Sequence, residues 1–222
     1  MQSNLVIFNG SPRNKKSNSK ILIEHFLRGY NGVCNYSVPV YYLAEIESAE
    51  ALKEAFFNAE TVLIVFPLYT DSMPGIVKRF FEDIVQLDIR HPKRIGFIVQ
   101  SGFPEAVHSI YVERYLRRFI YRLNCIYLGT VIKGGVEGIQ VMPRNLTKKM
   151  FDRFIELGKH FAQRWEFDEE IVAQLKRPFK LPKQRIILFK ALSLTGLTNF
   201  YWNSNLKKNN AYQRRFDRPY IA

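Results

Sequence analysis

The chain has 222 residues, 47% of them apolar, and a formal net charge of +13. This length and apolar content are typical of a soluble globular protein, built as one large domain or as a domain with an extension. Residues 167–222 contain 11 Lys and Arg residues and four acidic ones, so +7 of the net charge belongs to the last quarter of the chain.

The two cysteines, Cys34 and Cys125, exclude a disulfide framework and a cysteine-based metal cluster. A reducing compartment suits them, so we expect a cytoplasmic protein. The first residues lack a charged segment followed by an apolar one, and no run of about 18 uncharged apolar residues occurs. We therefore expect neither a signal peptide nor a membrane span. The four histidines are scattered without ligand spacing, so no metal site is predicted.

Taken in chain order, short apolar runs alternate with segments of helical spacing. The runs predict strands at residues 5–8, 36–43, 61–66, 94–100 and 126–132. Helices are predicted at residues 21–27, 49–58, 74–87, 105–122 and, with Asn145 or Thr147 as the cap, from there to 165. Pro39 removes a hydrogen-bond donor from the second strand, which predicts an edge position or a bulge.

This alternation predicts an α/β fold, a doubly wound parallel sheet of five strands with helices on both faces. A C-terminal helical extension follows, and we divide the chain into domains at residues 1–166 and 167–222. Ligands of such sheets bind beyond the carboxyl ends of the strands, where the strand order reverses. The turns after the first, third, fourth and fifth strands are therefore the candidate site.

The turn after the first strand has the composition of a phosphate-binding loop. Ser11, Ser17, Asn18 and Ser19 offer hydroxyl and amide groups, Arg13 offers a planar cation, and the turn leads into the amino end of a helix. Unpaired N–H groups and the helix dipole favour an anion there. The alternative is that these are ordinary capping residues. Because the loop lacks both G-x-x-x-x-G-K-[ST] and G-x-G-x-x-G, a single phosphate suits it better than a triphosphate or a Rossmann dinucleotide.

The other turns offer glycines and aromatic rings. Tyr69 and Met73 follow the third strand, residues 101–103 follow the fourth, and Gly134 and Gly135 follow the fifth. Glycines let the backbone approach a flat ligand, and aromatic side chains stack on it. Each turn alone is consistent with an ordinary loop. Together with the phosphate loop, they favour a flat ring that carries one phosphate, and flavin mononucleotide (FMN) is such a molecule.

Three motifs in this order resemble the NADPH-dependent FMN reductase family of the flavodoxin-like superfamily, which also contains NAD(P)H:quinone and azo-type reductases. They are Gly10-Ser11-Pro12-Arg13 with Ser17-Asn18-Ser19, then Pro67-Leu68-Tyr69 with Met73-Pro74-Gly75 and Lys78, then Ser101-Gly102-Phe103-Pro104-Glu105. The resemblance covers roughly residues 1–165 and implies a five-stranded flavodoxin-like fold that binds FMN non-covalently.

The resemblance also implies a role for each motif. The loop residues Ser11, Arg13, Ser17, Asn18 and Ser19 would hold the phosphate, Pro67, Leu68, Tyr69 and Thr70 would flank the isoalloxazine, and Ser101, Gly102 and Phe103 would meet its far side. No iron–sulfur cluster is expected, because the cysteine cluster of some relatives is missing here.

The predicted function is an FMN-dependent oxidoreductase. It would pass hydride from NADH or NADPH to the flavin and on to a quinone, free flavin, nitro compound or similar acceptor. Flavin carries this chemistry, so no catalytic side chain is predicted. The backbone amides of Gly134 and Gly135 would stabilise charge near flavin N1. His108 is interpreted as a polar helix residue, with a catalytic role as the alternative, and Glu105 as a first-turn carboxylate.

The rival function on the same fold is a flavodoxin-like electron carrier without NAD(P)H activity of its own. Such carriers resemble one another in being acidic, whereas this chain is strongly basic. The charge therefore favours the enzyme over the carrier.

The segment after residue 167 is too aromatic for a disordered tail. Residues 185–202 have enough apolar side chains to bury a face, and residues 203–210 are polar and predicted to be a connection. We predict one or two helices that pack on the sheet domain at a dimer interface near the flavin cleft. The alternative partner is an anionic membrane surface, reached by the apolar stretch 185–192 with its cationic flanks; we expect no nucleic-acid partner.

Overall fold

The structure is a computed structural model that describes residues 5–35, 37–45, 49–89, 91–196, 199–218 and 220. It divides into two compact units, Met1–Lys180 and Leu181–Ala222. The strands are β1 (Leu5–Asn9), β2 (Val40–Tyr42), β3 (Thr61–Pro67), β4 (Arg94–Gln100) and β5 (Ile126–Lys133). The helices are α1 (Asn18–Asn31), α2 (Ala49–Asn58), α3 (Gly75–Val85), α4 (Ile110–Arg122), α5 (Arg144–Arg164), α6 (Glu169–Leu175), α7 (Lys183–Leu194) and α8 (Phe200–Lys208).

The five strands form one parallel sheet in the order β2-β1-β3-β4-β5. This is the order of the flavodoxin-like fold, which confirms the predicted fold class. The chain passes from β1 to the edge strand β2 and then crosses back to β3 on the other side of β1, so the strand order reverses between β1 and β3. The predicted edge position of the Pro39 segment is confirmed, because β2 lies at the edge and begins directly after this proline.

Each face of the sheet carries its own hydrophobic core. Alternate strand residues pack on α1, α5 and α6 on one face and on the helices α2, α3 and α4 on the other. Both faces of β1 and β3 are buried along their whole length. This double burial explains why the two strands appear in the sequence as continuous apolar runs.

Two glycines let α1 and α5 touch backbone to backbone. A Cβ atom at Gly29 would lie 1.8 Å from the carbonyl oxygen of Ile155, and one at Gly158 would lie 1.9 Å from that of Phe26. Real Cβ atoms do not approach so closely, so any side chain at either position would push the helices apart. The contact fixes α1, and with it the loop that precedes α1.

A second pair of glycines forms a notch on the same face of the sheet. Gly96 of β4 pairs with Gly129 of β5, beside a register shift in the ladder. The ring of Phe167 fills the notch, because a Cβ atom at Gly96 would lie 2.9 Å from Phe167 Cε2. Phe167 and Leu175 are both buried in this core. Residues 167–180, which the sequence division assigns to the extension, therefore lie in the first unit.

Several element boundaries differ from the predictions. The strand β2 has three residues instead of the predicted run from 36 to 43, of which residue 36 lies outside the described part. Residues 106–109 form a 3-10 turn ahead of α4. The cap of α5 is Pro143, not Asn145 or Thr147, and the Thr147 hydroxyl donates to the carbonyl of Arg144 instead. Proline fixes the extended backbone that starts a helix, which overrides the weaker side-chain caps.

The predicted helical extension is confirmed, but the described part of residues 167–222 contains three helices, α6, α7 and α8, instead of one or two. Of these, α7 and α8 lie in the second unit. The predicted connection at residues 203–210 was wrong for its first part, because residues 203–208 belong to α8. Asparagine and serine have only a weak preference against helices, and local packing overrides it.

Candidate functional site

The loop after β1 is organised by a buried asparagine. Asn9 ends β1, and its Oδ1 accepts a hydrogen bond from the backbone N–H of Ser11 at 3.0 Å. Its Nδ2 donates to the hydroxyl of Ser17 at 3.2 Å. The Asn9 side chain thus hydrogen-bonds to both ends of the loop. Asn9, Ser11 and Ser17 are all buried.

The loop delivers the amino end of α1 to the carboxyl edge of the sheet. Ser17 caps the helix, and its hydroxyl oxygen accepts from the N–H of Lys20 at 3.2 Å. Asn18 and Ser19 are the first residues of α1, whose N–H groups have no partner within the helix. These amides, the helix dipole and the nearby guanidinium of Arg13 together make an environment that favours an anion.

A small recess of about 30 Å³ joins this loop to the turns after β3 and β4. Most of the predicted site residues line it, together with Gln100 and Glu137. Its lining consists of Ser11, Arg13, Asn18, Pro67, Leu68, Tyr69, Gln100, Ser101, Gly102 and Glu137. These three loops, together with Glu137 from the loop after β5, therefore meet at the point where the strand order reverses, although they are distant in the sequence.

The remaining predicted residues lie around the recess rather than in its wall. Ser17 and Ser19 are buried beneath the loop, and Ser19 Oγ accepts from Gln100 Nε2 at 3.5 Å. Thr70 has a left-handed backbone with φ of 51° in the turn after β3. The ring of Phe103 is 60% exposed, so it is available to a ligand from outside.

Gly134 and Gly135 serve the packing of two loops. A Cβ atom at Gly134 would lie 2.5 Å from the carbonyl oxygen of Phe103. The N–H of Gly135 donates to that same carbonyl at 2.8 Å. This hydrogen bond occupies the Gly135 amide that the sequence analysis assigns to flavin N1, so in this arrangement the amide is not available to a ligand.

The loop after β5 contacts the first loop through an ion pair and several hydrogen bonds. Glu137 Oε1 lies 3.0 Å from Arg13 Nη2, and Asn18 Nδ2 donates to the carbonyl of Val136 at 2.8 Å. Gln140 Nε2 donates to Asn18 Oδ1 at 2.9 Å and to the carbonyl of Lys16 at 3.0 Å. The carboxylate of Glu137 thus lies beside the cationic side chain of the anion-binding loop.

His108 lies between two carboxylates at the rim. Its Nδ1 is 3.8 Å from Asp71 Oδ1, and its Nε2 is 3.6 Å from Glu105 Oε2. Its ring also contacts Phe103, with 4.9 Å between ring centroids. Because Asp71 follows β3 whereas Phe103 and Glu105 follow β4, His108 connects two of the loops that line the recess.

Sequence reasoning missed Gln100 and Glu137. A signal for Gln100 exists, since it is a polar residue directly after the apolar run of β4, as Asn9 is after that of β1. Glu137 has no such signal, because its partner lies 124 residues away.

Two larger cavities lie on the first unit, and the smaller of the two also borders the first loop through Pro12. One of about 460 Å³ is lined mainly by α2, α3 and the segment after β2, and one of about 510 Å³ lies along α1 and α5. The volume of these cavities does not by itself favour them, because neither is lined by Ser11 or by Asn18 at the amino end of α1. Within the described ranges, no three His, Cys, Asp or Glu residues are grouped to hold a metal ion. No helix among the described residues has the length and hydropathy to cross a membrane.

The donors of the first loop fit the phosphate of FMN. Hydroxyls, first-turn amides and a guanidinium are the groups that bind phosphate in proteins. The recess itself is smaller than a flavin ring, so the ring would lie toward the exposed side chains of Tyr69 and Phe103. The Glu137 carboxylate would also compete with a phosphate for Arg13.

Comparisons with known proteins agree with this fold. A family model described as the flavodoxin-like fold matches residues 3–129. An FMN-dependent NADH-azoreductase from Bacillus anthracis, solved with FMN, is 16% identical, with a TM-score of 0.54 over 72% of this chain and 100% of that one. An NADPH-quinone reductase from P. pentosaceus is 16% identical, with a TM-score of 0.56 over 74% of this chain and 99% of that one.

A third solved structure is the NAD(P)H:quinone oxidoreductase of Methanothermobacter marburgensis. It is 13% identical, with a TM-score of 0.53 over 72% of this chain and 97% of that one. At these identities the likeness is one of fold. No curated protein sequence matches the chain significantly.

Proposed function

The chain belongs to the flavodoxin-like fold family, and we propose that it is an FMN-dependent oxidoreductase that uses NADH or NADPH. The observation that carries the proposal is the meeting of three loops at the carboxyl edge of the sheet. The first offers phosphate donors, and the other two offer an aromatic side chain each, Tyr69 and Phe103. The solved structures named above support the proposal, since their names describe FMN, NAD(P)H and azo or quinone substrates.

The residues of the chain bind and orient the cofactor in this proposal. Arg13, the Ser11 and Ser17 hydroxyls and the first amides of α1 hold the phosphate. Tyr69 and Phe103 flank the ring and limit access of water. When bound, FMN would supply the redox chemistry of hydride transfer from a nicotinamide and of reduction of a quinone, flavin or nitro compound.

The absorption spectrum of the purified protein tests the cofactor. Flavin bands after reconstitution with FMN are expected, and their absence would remove the proposal. Anaerobic stopped-flow mixing with NADH or NADPH then tests the reaction. Rapid bleaching supports an enzyme, whereas bound flavin that neither nucleotide reduces would leave the electron carrier as the function.

Two further expectations belong to this proposal. The protein acts in the cytoplasm, and it forms a homodimer, as flavodoxin-like reductases commonly do. The mass of the purified protein by light scattering tests the second expectation, and a monomer would contradict it.

A further inference from the structure

The second unit combines a high positive charge with exposed apolar side chains. Residues 181–222 contain eight Lys and Arg residues and one acidic residue, Asp217, which gives a net charge of +7. The remaining +6 of the chain belongs to residues 1–180, so both units are basic. The charge of the second unit therefore favours an anionic partner.

The helix α7 is apolar on several sides at once. Ile186, Ile187, Leu188 and Phe189 follow one another, and four consecutive positions span more than a full helical turn. No residue of α7 is buried, and the exposed fraction is 67% for Ile187 and 89% for Leu194. Lys183, Arg185 and Lys190 are interleaved with these apolar residues, so α7 combines exposed apolar surface with positive charge.

The segment after α7 presents aromatic rings together with cations. Trp202 is 62% exposed and Phe216 is 80% exposed. The guanidinium of Arg215 lies 4.0 Å from the ring centre of Tyr212 and 4.6 Å from that of Phe216. The ammonium of Lys207 lies 5.0 Å from the Tyr212 ring. Trp and Tyr side chains with neighbouring Lys and Arg are typical of protein segments at the membrane–water interface.

We propose that the second unit, residues 181–222, is a docking surface for an anionic lipid bilayer. The Lys and Arg side chains contact lipid phosphates, and the apolar residues of α7 with Trp202 and Phe216 enter the headgroup boundary. Lysine and arginine stems are long enough to keep their charges at the phosphates while the apolar residues insert. The inference stands apart from the proposed flavin chemistry, because no residue of the recess takes part in it.

Helix length restricts the mode of binding to the interface. The 12 residues of α7 extend about 18 Å, whereas the hydrocarbon core of a bilayer is about 30 Å thick. The unit therefore lies on the membrane. Two chemical features also favour a lipid bilayer over a second copy of the chain or a nucleic acid. A second copy of the chain is itself basic, and a nucleic acid offers no apolar medium for Ile187 and Leu188.

The test uses the full chain and vesicles of phosphatidylcholine, with and without phosphatidylglycerol. We expect sedimentation with the anionic vesicles only, and weaker binding at high salt. The double variant Lys207→Gln/Lys208→Gln should lower the affinity about tenfold or more, because each surface cation contributes to binding. The control Lys148→Gln/Lys149→Gln removes the same charge from exposed positions of α5 and should change the affinity less than about twofold.

A second pair of variants tests insertion. Ile187→Ser/Leu188→Ser should abolish sedimentation with vesicles, whereas Val141→Ser/Leu146→Ser, at exposed apolar positions of the first unit, should not. Thermal unfolding should be the same for all variants, since the four positions are exposed.

Three outcomes would overturn the proposal. The first is equal binding to neutral and anionic vesicles, or none to either. The second is a dimer that Ile187→Ser/Leu188→Ser dissociates without any vesicle binding, which would make the surface an interface between copies. The third is duplex DNA or RNA binding lost in Lys207→Gln/Lys208→Gln while vesicles remain unbound.

Discussion

Arg13 and Glu137 join the first and last loops of the candidate site, with Nη2 3.0 Å from Oε1 across 124 residues of sequence. Both side chains are partly exposed, so the pair itself adds little to stability. The pair matters for ligand binding, because the Glu137 carboxylate lies beside the Arg13 guanidinium that would bind an anion. The flavin phosphate and Glu137 must compete for the same cation.

Replacing Glu137 with Gln should therefore tighten FMN binding. The substitution keeps the shape of the side chain and removes its negative charge from beside the phosphate site. We expect about a fivefold gain in FMN affinity, in line with an energy of roughly 1 kcal/mol for a solvent-exposed charge pair. Riboflavin, which has no phosphate, is the control ligand and should bind both proteins equally. An equal gain for both flavins would mean that Glu137 acts on the ring instead.

Arg13→Ala should weaken FMN more than riboflavin. A charge-assisted hydrogen bond to phosphate contributes roughly 1.5–3 kcal/mol, and partial exposure of Arg13 favours the lower end, or about a tenfold loss. Arg122→Ala, at an exposed position at the end of α4, is the matched control and should leave both affinities unchanged. Fluorescence titration of apoprotein measures the constants. Equal losses for the two flavins in Arg13→Ala would remove the phosphate assignment.

Ser17→Ala should also weaken FMN more than riboflavin, with an added loss of stability. The Ser17 hydroxyl caps α1 and accepts from Asn9 Nδ2, so its removal costs about 1 kcal/mol of unfolding free energy. Urea denaturation of the apoprotein measures the stability, and flavin titration measures the binding. A fully stable variant with unchanged FMN affinity would contradict both roles.

Gly158→Ala should destabilise the protein by about 3 kcal/mol or more. The new methyl group would meet the Phe26 carbonyl at 1.9 Å, so α1 and α5 would have to separate. Gly75→Ala is the matched control, because a Cβ atom at this position, at the start of α3, would meet nothing within 4 Å. The control should be neutral or slightly stabilising, by about 0.5 kcal/mol. Similar midpoints in urea for both variants would refute the close helix contact.

His25 should make the stability depend on pH near neutrality. Burial lowers the pKa of His25 below its ordinary value of 6.5, and Arg28 adds to this effect, while Glu24 and Asp152 oppose it. The unfolded chain therefore binds the proton first as the pH falls. The stability that neutral His25 contributes is complete above pH 6.5. It is lost as the pH falls from 6.5 through the lower pKa of His25 in the folded protein.

The variant His25→Phe isolates this effect. Phenylalanine preserves the stack on Phe151, whose ring lies 3.9 Å from that of His25, and it cannot titrate. The melting temperature of the wild type should fall more steeply than that of the variant as the pH is lowered below 6.5. Parallel curves would exclude His25 as the titrating group.

The sequence was sufficient for the fold because burial leaves a strong local signal. Strands such as β3 are buried on both faces and must be apolar throughout, and the alternation with helices then restricts the connections. The convergence of the loops could also be predicted from the sequence, because the carboxyl ends of parallel strands share one edge of the sheet. The Asn9 hydrogen bonds that hold the first loop were not predicted, although the position of Asn9 at the end of an apolar strand was visible.

Contacts between distant segments could not be predicted in this way. Glu137 meets Arg13 only because β5 is placed beside β4, and no spacing in the sequence encodes that distance. The same holds for Gly29 and Gly158, which look like ordinary helix-weakening residues until the two helices are brought together. The predicted cap of α5 was wrong for a different reason. The backbone constraint at Pro143 outweighed the two side-chain caps predicted at Asn145 and Thr147.

The notch between Gly96 and Gly129 has a consequence for the order of events on the ribosome. Its two walls are synthesised with β4 and β5, but its occupant Phe167 emerges only after the 21 residues of α5. Until then, the ring that packs on Gly96 beside the side chain of Leu63 is missing. Domains fold as their segments are released, and exposed apolar surface at that stage attracts chaperones and neighbouring chains. Phe167 therefore completes this core late in synthesis, after β5 and α5.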